Sequence, residues 1–115
     1  MLASADDGTG GEEFHRCMRD GKTPRGIYDE IMTRGRNETV GDQWMTQILS
    51  RILMRASVIY VSNAADDLVR DYHLIPAKTL DEAMRIAENL LGKPDASVNA
   101  IPDGVAVMVL PKNAD

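Results

Sequence analysis

Little in this chain invites chemistry on its own. A single cysteine, Cys17, leaves no partner for an internal disulfide, which points to a reducing compartment such as the cytoplasm. Cys17 also falls in a helical pattern with Phe14 and Met18, where a buried thiol behaves as a small hydrophobe. The two histidines, His15 and His73, stand far apart in the chain. Their spacing supports neither a clustered metal site nor a Ser-His-Asp set. No basic cluster is present: Arg34 and Arg36 only flank Gly35 in an expected loop. With a net charge of −5, the chain is not built to attract nucleic acid or an anionic membrane. No apolar run nears the roughly 20 residues that a membrane-spanning helix needs. The first residues also lack the basic-then-apolar pattern of a secretory leader.

What is there is ordinary globular material. Of 115 residues, 43% are hydrophobic and 27% charged, which suits a single soluble domain over residues 1–115. The chain is organised around the stretch from Gly41 to Asn63. Apolar residues at Trp44, Met45, Ile48, Leu49, Ile52 and Leu53 recur in pairs every fourth position, one broad face of a helix with Arg51 and Arg55 on the wet side. Val58–Ser62 then reads as a strand buried on both faces. Trp44, the one tryptophan, sits in the first turn of that helix, just after a glycine-bearing loop, a common place to meet a ligand.

Leu2–Ala5 looks like a strand stub leading through the glycine-rich turn Asp6–Gly11 into a helix over Glu12–Arg19. That order can hold an anion at a helix start. The third glycine of a dinucleotide fingerprint is replaced by Glu13, however, so a tight turn is the better reading. Gly21 stops the first helix, and Thr23-Pro24 starts a second whose apolar face is Ile27, Tyr28, Ile31 and Met32. The eight-residue loop Arg34–Gly41 is long enough to be a ligand-facing segment. Asn63 is placed to cap a short helix through Tyr72, followed by a brief edge strand at His73–Ala77. Thr79-Leu80-Asp81-Glu82 is a capping box. It opens a helix with Leu80, Ala83, Met84, Ala87, Leu90 and Leu91 on one face, ended by Gly92 and Pro94. Ser97–Ile101 and Val105–Leu110 read as a C-terminal hairpin around Pro102-Asp103-Gly104, before a loose tail at 111–115. The expected class is α/β: three layers, with a mostly parallel sheet flanked by helices and that terminal hairpin.

None of the residues names a reaction. Asp6 and Asp7 are a possible carboxylate pair, but acidic residues beside glycines are usually solvated turn residues. His15 lies among charged neighbours, and His73 follows a helix end where an imidazole meets terminal carbonyls.

Five blocks in order do name a family. They are Gly8–Phe14, Asp42-Gln43-Trp44 with Gln47–Leu53, Val61-Ser62-Asn63, Ala77–Ala83, and Ile101–Val107. Together they resemble the C-terminal part of the nickel-dependent lactate racemase family, over nearly the whole chain. The resemblance implies a two-domain enzyme that racemises a 2-hydroxy acid such as lactate. In that family a nickel ion sits in a pyridinium-derived pincer nucleotide tethered to a Lys. Histidines serve there as nickel ligand and proton-transfer groups, and hydride moves to the cofactor and returns to the opposite face. The residues for tethering, nickel binding and proton transfer all lie in the family's N-terminal domain and hinge, so no catalytic, cofactor-binding or metal residue is expected here. Two substrate-binding positions carry over: Trp44, matching the family's active-site Trp across the cleft, and its neighbour Gln43. The chain is thus expected to be the C-terminal domain of a larger protein, its partners being the N-terminal domain and the substrate. Two alternatives stay open: Trp44 as a core anchor, and the whole chain as a non-catalytic α/β binding or assembly module with Trp44 at an interface.

Overall fold

Local signals for helix starts and stops are obeyed most closely in two of the helices. In the computed structural model, which describes residues 5, 8, 10–93, 95–104, 106, 107 and 110, the elements run α1 Glu12–Asp20, α2 Pro24–Thr33, α3 Gln43–Leu53, β1 Ile59–Val61, α4 Asp66–Asp71, β2 Ile75–Ala77 and α5 Leu80–Leu91. Thr23 caps α2, its Oγ1 accepting from Gly26 N at 3.1 Å with Pro24 in the first turn, where a missing N–H costs nothing. Thr79 caps α5 in the same way, accepting from Glu82 N at 3.2 Å. Glu82 reaches back to Lys78 N at 2.7 Å, close to the reciprocal pattern of a capping box. Gly92 ends α5 in the left-handed region at φ 60°, where a side chain would be strained.

β1 and β2 pair in parallel, Tyr60 opposite Pro76, with α4 in the crossover that a parallel pair requires. Ile75 N donates to Val58 O at 2.9 Å and Ser62 N to Ala77 O at 3.2 Å. Ile75 and Ala77 therefore hold the ladder positions, and Pro76 sits at the alternate one, where no donor is needed. α5 packs on this sheet, and α2 packs chiefly on α3. The core is Met18, Ile27, Ile31 and Tyr72, with Phe14, Leu49, Leu53, Leu68 and Leu74 against it.

Several expectations are revised. The helix expected from Asn63 begins instead at Asp66, with Ala65 at its N-cap and no side-chain cap. The Asn63 Oδ1 is used elsewhere, accepting from Ala5 N at 3.2 Å. β1 is half-buried along its length rather than buried on both faces. The apolar face of α2 narrows to the buried pair Ile27 and Ile31, with Met32 exposed. On α5 only Ala83 is buried, and Leu80, Leu90 and Leu91 lie open. Residues 97–101 carry no strand and are exposed throughout. A two-stranded hairpin with no sheet to lie on is marginal in water. Parts of its second strand (105, 108 and 109), most of the stub at 2–5, the Asp6-Asp7 pair, Pro94 and the tail lie outside the described residues.

Candidate functional site at the start of α3

Two loops separated in sequence meet at the N-terminus of α3. A side chain added at Gly11, the N-cap of α1, would collide with the Asp42 carboxylate, and one added at Gly10 would lie 3.7 Å from Met45 Cε. The glycines are needed there: Gly8 and Gly10 have φ of 88° and 87°, the left-handed region that glycine enters freely. Asp42 is itself left-handed, at φ 57° and ψ 11°. Its carbonyl accepts from Met45 N at 2.9 Å and Thr46 N at 3.4 Å, which starts the helix while the side chain turns toward Gly11. Non-glycine residues in this conformation concentrate at functional sites. Glu12, Glu13 and Asp42 thus place carboxylates around the starts of both α1 and α3. They suit the positive helix ends and would repel a phosphate.

The two residues singled out by sequence behave differently. Trp44 is 63% exposed, so it is not a core anchor of this chain. The exposed stripe runs on through Ile48 and Ile52, one residue per helical turn. The opposite side of α3 is what packs, with Thr46 and Ser50 fully buried and Leu49 and Leu53 half-buried. The apolar pairs read from the sequence are therefore split, one of each facing the core and the other facing out. Gln43 is half-buried and turned back into the preceding loop, its Oε1 accepting from Arg34 Nη1 at 3.0 Å and from Val40 N at 3.5 Å. Its Nε2 has no acceptor among the described residues.

Arg34, which sequence reading treats only as half of a sparse pair, is the residue missed. Its side chain is 19% exposed and its Nη2 donates to Glu30 Oε1 at 2.7 Å. That hydrogen bond raises the guanidinium above its ordinary range, against the opposing effect of burial. Its one sequence signal is weak, an i,i+4 pair with Glu30 at the end of α2. The loop it begins is built rather than slack: Glu38 Oε2 accepts from Gly35 N at 2.6 Å and Glu38 N donates to Gly35 O at 3.0 Å.

The histidines serve packing. His15 Nε2 lies 2.8 Å from Asp71 Oδ2 while its ring stacks on Tyr72, and His73 Nε2 meets Met18 O at 3.0 Å. Among the described residues no group of three or more His, Cys, Asp or Glu converges as a metal site. Nothing in this donor set fits a nickel ion.

A profile of the lactate racemase C-terminal domain matches residues 1–109. The chain belongs to the lactate racemase C-terminal domain family. It is 44% identical over 113 residues to a lactate racemase of Thermoanaerobacterium thermosaccharolyticum, covering 97% of this chain and 26% of that protein. It is 44% identical over 110 residues to one of Lactiplantibacillus plantarum, covering 95% of this chain and 26% of that protein. The solved apoprotein of the first superposes with a TM-score of 0.90 at 43% identity, over 96% of this chain and 26% of that one. The domain thus spans about a quarter of the length of these relatives. No helix among the described residues is long and apolar enough to cross a membrane.

Proposed function

We propose that this domain closes the substrate cleft of a larger cytoplasmic racemase or epimerase acting on a 2-hydroxy acid such as lactate, with Trp44 as the substrate wall and the Gln43 amide beside it. The observation that carries the reading is an exposed Trp at a strained helix start, in a chain of this family. The Asp42 carboxylate stands at that helix start, with Glu12 and Glu13 in the first turn of α1, whose N-cap Gly11 meets Asp42, so the acid group of the substrate belongs against the opposite, N-terminal domain. Trp44 supplies apolar contact and excludes water, which strengthens every polar interaction inside the closed site. The nickel-pincer nucleotide belongs to that other domain as well. In the larger protein the short parallel sheet would gain strands and a covering layer of helices, completing three layers around it.

The test is racemisation by the longer protein carrying this domain, with its cofactor bound, across several 2-hydroxy acids. Trp44→Ala is expected to lower kcat/KM about 100-fold, as loss of a positioning wall does, with circular dichroism unchanged. Unchanged kinetics would retire Trp44 as a substrate residue.

A second reading has its own observation. The stripe Trp44, Ile48 and Ile52 is continuous and apolar, the pattern of an interface anchor in a non-catalytic assembly module. In that case Trp44→Ala would weaken association with the partner and leave turnover intact.

A further inference from the structure

We infer that Arg34 is a positioning residue: through Gln43 it locks the first turn of α3 and so sets the orientation of Trp44. This deepens the proposed reading of Trp44 and rests on it for its functional meaning. The Arg34 guanidinium uses two arms at once, Nη2 to Glu30 at 2.7 Å and Nη1 to Gln43 at 3.0 Å. Glu30 lies near the end of α2 and Gln43 is the first residue of α3, so the clamp spans the loop between them. Gln43 relays it, because the same Oε1 also accepts from Val40 N and Gln43 N donates back to Val40 O at 3.4 Å. Trp44 is the next residue. Its exposed ring has no core to hold it, and Asp42 before it sits in a left-handed conformation that the surroundings must impose. A fork with two fixed donors can hold both acceptors. A lysine, a point charge on a flexible stem, cannot reproduce that geometry.

Trp44 is the only tryptophan of the chain, so its fluorescence anisotropy in this 115-residue chain reports its mobility directly. Arg34→Met and Gln43→Met should each lower the anisotropy, and the double variant should fall no further than Gln43→Met alone, because that change already removes the Arg34 contact together with the one from Val40 N. Arg34→Lys should not restore it, whereas Glu30→Gln, which leaves the Gln43 arm in place, should keep it. In the longer enzyme Arg34→Met and Arg34→Lys should lower kcat by about 10-fold or more, with a smaller change in KM, as misplacement of a wall does. Anisotropy unchanged in both single Met variants overturns the clamp, as does full recovery with Lys or an equal fall in Glu30→Gln. If anisotropy falls as expected while racemisation is unaffected, the clamp stands and the substrate reading of Trp44 fails.

Discussion

Thr46 shows how a single buried atom can carry a cost. It is fully buried on α3, and its Oγ1 has no hydrogen-bond partner among the described residues. An orphaned buried hydroxyl forfeits its water without replacement. Thr46→Val keeps the shape and removes that cost, so stability should rise by up to about 1 kcal/mol, read as a higher midpoint in urea with an unchanged slope. A loss of similar size would mean that the hydroxyl is bonded after all. Sequence did not mark Thr46 or Ser50 as interior, since both are polar residues between apolar pairs. Nor did it mark Arg34, whose partner Gln43 lies nine residues on. Trp44 was legible as a candidate because it is the one Trp beside a glycine loop. Whether it faced out depended on which side of α3 the rest of the chain would cover.

At the scale of elements, α4 and β2 are joined by Lys78. Its Nζ lies 2.8 Å from Asp66 Oδ1 and donates to Ala64 O at 2.6 Å. The hydrogen bond from Lys78, reinforced by its charge and that of Arg70, holds the Asp66 carboxyl below its usual range. The sign follows from linkage. A carboxyl whose folded value is depressed adds stability above its unfolded value, near pH 4, and that stability is lost as pH falls through the lower folded value. Lys78→Met should therefore flatten the acid limb of stability below about pH 4, seen in thermal melts at a series of pH values. The pair is well exposed, so salt should shrink the difference. An acid limb of unchanged slope would show that the pair contributes nothing. The helices of this domain were readable from local chemistry, Thr23-Pro24 and Thr79 with Glu82 above all. The strands were less so. β1 and β2 are three residues each, and their parallel register depends on where the crossover returns. The expected hairpin strand at 97–101 shows why: its aliphatic pattern records a preference for burial, and in this chain no sheet receives it.

For the whole molecule, the prominent property is apolar surface without cover. Beside the stripe on α3, a groove of about 440 Å³ opens between α1, α3, α4 and β1, with Phe14, Leu49, Tyr60, Leu68 and Leu74 among its lining residues. Uncovered apolar side chains grouped in this way suit an interaction surface and are otherwise an aggregation liability. Ile48→Lys with Ile52→Lys should leave the stability of this chain within about 0.5 kcal/mol, as surface changes do. The double change should also raise solubility and reduce binding of a hydrophobic dye. In the longer protein the same pair should loosen the contact between domains, measurable as increased protease sensitivity at their junction. Stability that collapses in this chain would instead place both residues in its own core.

The sequence by itself determined where α2 and α5 begin and where α5 ends, because the caps Thr23 and Thr79, Pro24 and the terminal Gly92 act within four residues of themselves. It also carried the family, since ordered blocks of residues survive whatever the neighbours do. Tertiary structure alone decided which half of each apolar pair on α3 is covered and that Asn63 serves Ala5 rather than α4. It also joined the glycine loop to Asp42 and Arg34 to Gln43. The reason is physical: periodicity states that a face is apolar, while burial depends on what packs against it. Those packing partners lie far away in the chain, where no local rule reaches.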